Sequence, residues 1–216
     1  MYANIAVNEL FPTPFWTVDL KPEKYEPMNA AIVAAIDDLM SPWPELGVGG
    51  TWQTDQDLHL LDEFAELTAV INNAVKGAFE FLEIAYDGFE ITGCWANINP
   101  KGAKHSNHSH PNNYLSGVYY VKTGKGADRI QFIDPRTQAE IIMPPAKTQN
   151  KFNGNKVTVE ARDGRLVMFP AYLKHEVPMN TSDENRISIA FNVMFTNYTE
   201  SMSKPLWKKH SRRQKA

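Results

Sequence analysis

The sequence has a single cysteine, Cys94, among 216 residues, so it can form no internal disulfide and no thiolate-bound metal cluster. It has no apolar run of transmembrane length, and Met1 to Glu9 lack the basic start and apolar core of a secretory signal. A cytoplasmic location and no membrane partner are the resulting expectations. A large charge of either sign is also missing. The formal net charge is −3, so nothing in the overall balance points to nucleic acid. No internal repeat and no low-complexity segment breaks the chain.

What is present suits a globular fold, with 43% hydrophobic and 22% charged residues, enough apolar material for a sizeable core. The expected organisation is one domain over residues 1–203, helical over about 20–87 and a barrel over about 88–196, followed by a basic tail at 204–216. That tail holds Lys204, Lys208, Lys209, Arg212, Arg213 and Lys215 with no acid, which is the usual character of a solvated chain end.

Apolar residues at three- and four-residue steps, Met28, Ile32, Ala35, Ile36 and Leu39, predict a helix over 24–39 that Pro42 and Pro44 bring to an end. A second stripe through Leu61, Phe64, Leu67, Ile71, Val75, Phe79 and Leu82 predicts a helix over about 58–82, with Asp57 as its cap. After Gly88 the period shortens. Segments 89–99, 114–121, 129–133, 139–143, 156–161, 165–169 and 187–195 read as strands, and Asp163-Gly164 reads as a hairpin turn. Two helices before a run of strands indicate a mainly β sandwich or barrel braced on one outer face. In the last strand Ile187, Ile189, Phe191, Val193 and Phe195 share one face. If that face packs on the helices, Arg186, Ser188, Ala190 and Asn192 look into the barrel, which makes the interior a ligand cavity.

Three of six histidines stand in His105-Ser-Asn-His108-Ser-His110-Pro111. Residues two apart in extended chain share a face, so His108 and His110 can offer both imidazoles to one ion, while His105 is expected to turn away. His175, after an apolar strand, is the candidate third ligand; three imidazoles suit a borderline divalent metal. Exposed histidine clusters are also common without a metal. Arg186 with Ser188 on the same face suits a carboxylate; the plainer role is a salt bridge to Asp183 or Glu184. Asn97, Asn99 and Trp95 alternate on one strand face and can line a cavity. Tyr119 and Tyr120 point to opposite faces, so at most one of them reaches it. Trp52, in a Gly-rich loop, can wall a substrate entrance or pack in the core.

The order His108-x-His110, His175, Arg186-x-Ser188 resembles the 2-oxoglutarate/iron(II) dioxygenases of the double-stranded β-helix (jelly-roll) fold. Further words resemble one branch of that superfamily found in bacteria and their phages: Leu10-Phe-Pro-Thr-Pro14, Trp52-Gln-Thr54, Trp95-Ala-Asn-Ile-Asn-Pro100, His108-Ser-His-Pro111, Leu115-Ser-Gly-Val-Tyr-Tyr-Val121, Asp134-Pro-Arg136, Leu166-Val-Met-Phe-Pro170, His175-Glu-Val-Pro178 and Arg186-Ile-Ser-Ile-Ala-Phe-Asn192. The likeness covers residues 10–195. It implies a jelly-roll barrel with N-terminal supporting helices, Fe(II) held by His108, His110 and His175, and 2-oxoglutarate as cosubstrate on Arg186 and Ser188. Asn97 and Tyr119 are expected beside the cosubstrate, Trp52 and Asn99 beside the substrate. Most of the superfamily has Asp or Glu where His110 stands, so this site carries one more formal positive charge.

The activity so implied is hydroxylation of a small molecule or peptide with release of succinate and carbon dioxide. For assembly, a homodimer is the expected oligomer, and for a phage-encoded chain the location is the host cytoplasm. Two other classes share the residues: a cupin-like three-histidine metalloprotein, a dioxygenase or isomerase working without 2-oxoglutarate, and a non-catalytic binding or phage structural module. Arg186 argues against the first.

Overall fold

The computed structural model describes residues 3–201 apart from 43, 137, 139 and 140. The basic tail at 204–216 and part of the strand expected at 139–143 lie outside the described residues; Ile141 to Met143, which are described, form no strand. Among the described residues the elements run β1 (Trp16–Asp19), α1 (Pro22–Met40), β2 (Trp52–Gln53), α2 (Ala65–Phe81), β3 (Phe89–Asn99), β4 (His105–His108), β5 (Leu115–Lys122), β6 (Arg129–Ile133), β7 (Lys156–Glu160), β8 (Arg165–Pro170), β9 (His175–Val177), β10 (Arg186–Phe195) and the short α3 (Thr196–Thr199).

The strands form two antiparallel sheets, one ordered β1-β8-β5-β10-β3-β2 and the other β4-β9-β6-β7. This is the expected jelly roll. β10 is central, pairing β3 on one side and β5 on the other. Its alternation works as the sequence implies. Ile189, Phe191 and Val193 are fully buried in the cluster that also holds Ile32 and Ile36 of α1 and Ile71, Val75 and Phe79 of α2, while Arg186, Ser188 and Ala190 line a cavity on the opposite face. Between Asn192 and Val193 the register shifts by a β-bulge that leaves Thr92 of β3 without a pairing partner, while Val193 and Phe195 of β10 keep to the helix-side core. Gly117 of β5 stands in register with Phe191, and a Cβ there would meet the phenyl ring at 2.2 Å. Only glycine lets that ring lie flat on the sheet.

α1 opens on Pro22, whose missing N–H costs nothing in a first turn. It presses Met28, Ile32 and Ile36, with Asn29, onto the large sheet. The second stripe is less regular than its periodicity suggests. Two 3₁₀ turns, Leu58–Leu60 and Asp62–Phe64, precede α2, separated by Leu61 in an extended conformation, and the Asp57 side chain makes no cap hydrogen bond. Leu58 and Phe64 still reach the core, so the apolar spacing is kept while the helix begins at Ala65.

Asp163-Gly164 is a turn, with Gly164 at φ +77°, but not a hairpin. β7 pairs with β6 in the small sheet and β8 pairs with β5 and β1 in the large one, so the turn carries the chain from one sheet to the other. Asp163 Oδ1 secures it by accepting from the backbone N–H and hydroxyl of Thr123, at 2.7 and 2.8 Å. A second core fills the space between the sheets, with Tyr120, Ile130, Phe132, Val159, Val167, Phe169 and Leu173.

Candidate metal and cosubstrate site

The cavity opens between the sheets. From the small sheet β4 and β9 bring His105, His108 and His175; from the large sheet β3, β5 and β10 bring Trp95, Asn97, Tyr120, Arg186, Ser188 and Ala190. His108 and His175 are register partners across β4 and β9. His110 arrives differently from the sequence argument. β4 ends at His108, and His110 lies in the turn beyond, held by its own N–H donating to the carbonyl of Ala171 at 2.9 Å. The nitrogens of His108, His110 and His175 lie within 4.8 Å of one another, and the ring centroids are 4.3 Å apart for 108–175, 5.0 Å for 108–110 and 5.2 Å for 110–175.

Two of the three rings have a defined outward nitrogen. His108 Nδ1 donates to the carbonyl of Ser106 at 2.7 Å, and His175 Nδ1 to that of Leu173 at 3.0 Å. A carbonyl only accepts, so each Nδ1 bears the proton and each Nε2 keeps its lone pair for an ion. Burial favours the neutral ring at His110 and His175. It is the main cause that brings His175 down to about 3 and His110 to about 4. A neutral imidazole is the form that binds metal.

His105 does not turn away. A register shift in β4 between His105 and His108 lets both reach the cavity, although His105 stays outside the three-ring cluster. Its Nε2 lies 2.9 Å from Nδ2 of Asn99. Burial first, then the Arg186 charge, brings His105 down to about 4.

Arg186 is 2% exposed. Its Nη2 donates to Asn99 Oδ1 at 2.8 Å, but its Nε and Nη1, together with the Tyr120 hydroxyl, are buried without a hydrogen-bond partner. Neither expected acid neutralises it. Asp183 pairs with Lys101 and Glu184 with Lys122. Burial works against the guanidinium charge and also pushes the Tyr120 hydroxyl up, so the phenol stays a donor. Unpaired buried donors of this kind are costly unless a ligand satisfies them. A carboxylate is the complementary group.

Three expected placements change. Tyr119 does not reach the cavity: its hydroxyl donates to Asn29 Oδ1 of α1 at 2.6 Å, and Tyr120, the next residue, faces the cavity instead. Trp52 packs against the helix-side core while its neighbour Gln53 lines the cavity. Asn99 is fully buried and outside the cavity wall, where it braces Arg186 and His105 in place of touching substrate. Asn97 does line the cavity, and its Oδ1 accepts from Gln53 Nε2 at 2.6 Å. Gln53, Tyr120 and His105 are the lining residues that sequence reasoning passed over or set aside. Adjacency to Trp52 and Tyr119 was the only signal for the first two, and strand alternation is blind to the bulge that turns His105 inward.

Comparison with known proteins agrees with this geometry. Residues 93–192 match the family described as putative 2OG-Fe(II) oxygenase. No curated protein matches the sequence. Among solved structures, the chain resembles the non-haem α-ketoglutarate-dependent epimerase SnoN from nogalamycin biosynthesis, with a TM-score of 0.60 and 13% identity over 85% of this chain and 79% of that one. HygX from Streptomyces hygroscopicus, with nickel and 2-oxoglutarate bound, gives 0.60 and 11% over 85% and 83%. A Pseudomonas putida prolyl-4-hydroxylase gives 0.56 and 16% over 85% and 93%. At these identities the structural likeness establishes the shared barrel. No helix among the described residues is long and apolar enough to cross a membrane. The matched stretch 93–192 contains all three clustered histidines and Arg186, so the part of the chain that is similar to the 2-oxoglutarate/Fe(II) oxygenases is the part that builds the site.

Proposed function

We propose that the chain is a 2-oxoglutarate-dependent dioxygenase that hydroxylates its substrate, with Fe(II) on His108, His110 and His175 and 2-oxoglutarate on Arg186. The observation that carries this reading is the buried Arg186, whose Nε and Nη1 have no partner, in the same cavity as three clustered histidines. Three imidazoles suit a borderline divalent ion. A guanidinium with free N–H groups, beside an unpartnered phenol and Ser188, suits the far carboxylate of a dicarboxylate that meets the metal at its other end. Iron with 2-oxoglutarate supplies oxygen activation, with succinate and carbon dioxide as by-products.

The protein's own part is positioning and exclusion of water. The carbonyls of Ser106 and Leu173 orient two of the rings. Asn99 holds Nη2 of Arg186, so the rest of the fork is aimed before the cosubstrate arrives. Phe169, Ile130 and Val118 make the deep wall apolar, which strengthens the Arg186–carboxylate pair and keeps bulk water from the oxidising centre. The donors on Arg186 weigh against a cupin-like enzyme that works without 2-oxoglutarate. A small molecule or peptide as substrate and a homodimer as assembly remain part of the proposal.

The test is anaerobic titration of purified chain with Fe(II) and then 2-oxoglutarate, followed by air and assay of succinate. One equivalent of each, with slow uncoupled succinate formation, is expected. Iron binding with no 2-oxoglutarate affinity would move the chain to the cupin-like class.

A further inference from the structure

Beyond Arg186, Asn97 and His105 turn donors to the cavity, beside a Gln53 amide that keeps its acceptor oxygen. Asn99 decides the state of His105 by elementary bookkeeping. Arg186 can only donate, so the Asn99 atom 2.8 Å from Nη2 is its oxygen. The amide nitrogen is then the atom 2.9 Å from His105 Nε2, nearer than the amide oxygen at 3.3 Å, and the shorter contact sets the hydrogen bond. An amide nitrogen only donates, so Nε2 accepts and the ring proton of His105 sits on Nδ1. Asn97 is committed in the same sense. Its oxygen is taken by Gln53 Nε2 at 2.6 Å, and what it has left to offer is an amide N–H₂.

These residues occupy one side of the cavity. Gln53 and Asn97 stand on β2 and β3 at one end of the large sheet, and His105 stands on β4, the edge strand of the small one. Arg186 and Tyr120 are both almost wholly buried, whereas Gln53 is exposed at the mouth. Among the described residues that line the cavity there is no Asp or Glu. A substrate ammonium group would find no counter-charge and would face the same positive field as the metal. Charge points the same way. With three neutral ligands, a divalent ion and Arg186 outweigh the two carboxylates of 2-oxoglutarate by one positive charge, which a buried site leaves uncompensated only at a cost.

We propose that the substrate is an anion, bearing a carboxylate or phosphate oxyanion, that is received by Asn97 and the Nδ1–H of His105 at the mouth of the cavity. The proposal rests on the oxygenase reading above, and it makes His105 and Asn97 specificity-determining residues.

The full chain loaded with Zn(II) and 2-oxoglutarate forms the site without turnover. It is titrated with propanoate, inorganic phosphate or propylamine while ¹H–¹⁵N NMR follows the His105 ring and the Asn97 side-chain amide. At least one of the two anions is expected to shift both signals and saturate in the millimolar range; the tighter one identifies the oxyanion, and propylamine leaves the signals in place. His105→Phe and Asn97→Leu should each weaken that anion at least about tenfold, the scale of one charge-assisted hydrogen bond, and by more than they weaken 2-oxoglutarate. Equal binding of the amine, equal anion binding by both variants, or no anion binding while 2-oxoglutarate binds would overturn the proposal. Loss of 2-oxoglutarate binding in the parent would instead count against the oxygenase reading. Ring-nitrogen spectra of the metal-free chain then still decide the matter: a proton on Nδ1 of His105 supports the donor wall, and one on Nε2 overturns it.

Discussion

His108 and His175 face each other across the antiparallel β4–β9 pair, with ring centroids 4.3 Å apart. Side chains of paired residues on one sheet face are neighbours by construction, so two of the three clustered imidazoles are set by strand register, and only His110 depends on a turn. The cluster thus has a pair set by strand register and a third member held from the segment after β4 by the carbonyl of Ala171. His108→Ala, His110→Ala and His175→Ala should each abolish stoichiometric Fe(II) binding, measured by metal content after gel filtration of untagged protein. His59→Ala, in a 3₁₀ turn away from the cavity lining, and His105→Ala should keep it. Loss of iron in His105→Ala equal to that in His110→Ala would show that the wrong three rings have been chosen.

Tyr119 and Tyr120 make an internal control for the cosubstrate. Tyr119→Phe removes a hydrogen bond between β5 and α1, so about 1 kcal/mol of stability should go while 2-oxoglutarate affinity stays. Tyr120→Phe removes a hydroxyl that has no protein partner. It should leave the fold unharmed and weaken 2-oxoglutarate by about 1 kcal/mol. Chemical denaturation and calorimetry on the two variants separate the cases.

Arg186→Ala should weaken 2-oxoglutarate by about 2–4 kcal/mol, the scale for truncating one partner of a desolvated charge pair, with Fe(II) binding retained. Unchanged affinity would remove the carboxylate anchor from the proposed function.

How far the sequence alone reaches can be judged on particular residues. The role of β10 is legible because one face is uniformly bulky and the other holds Arg186 and Ser188, so alternation leaves one consistent orientation. His108, His110 and His175 are legible as residue types, but β4 is not, since His105–His108 has none of the β-branched or aromatic character that marks a strand. Tyr119 and Tyr120 defeat sequence reasoning for a different reason. Both are buried and aromatic, and the choice between faces is made by Asn29, 90 residues away, which binds the Tyr119 hydroxyl from α1. Asp163-Gly164 shows the remaining limit. Turn chemistry is local, but whether a turn closes a hairpin or carries the chain between sheets is decided by long-range pairing.

The histidines also make the metal-free chain acid-sensitive. His105, His110 and His175 stand at about 4, about 4 and about 3 in the folded chain, against about 6.5 when unfolded. The unfolded state therefore binds more protons between those limits, and stability falls as pH is lowered. The loss should begin near pH 6.5 and continue to about pH 3–4, seen as a falling Tm of the metal-free protein. Zn(II) should raise the Tm in the upper part of that window without flattening the fall, because it holds the folded rings unprotonated while the unfolded chain still takes up protons. A Tm that is flat from pH 7 to pH 4 without metal would contradict the neutral-ring description.

His110 stands where the resemblance to the dioxygenases implies Asp or Glu, and it is also the one clustered histidine not placed by a strand. His110→Asp lowers the formal charge of the site by one, which on electrostatics alone should bind Fe(II) at least as tightly. Reach opposes this. A carboxylate on the same backbone extends less far than an imidazole, and the turn at 110 is tethered by its N–H to the carbonyl of Ala171, so it moves inward only by giving up that bond. Iron binding should survive and substrate oxidation should fall. The loss should be greatest for an anionic substrate, because the variant cancels the excess positive charge that attracts it. The measurement is anaerobic Fe(II) titration of parent, His110→Asp and His110→Ala, then succinate formation with each. Iron and turnover in Asp but not in Ala would establish residue 110 as a ligand whose chemistry is exchangeable; both retained in Ala would remove His110 from the metal site.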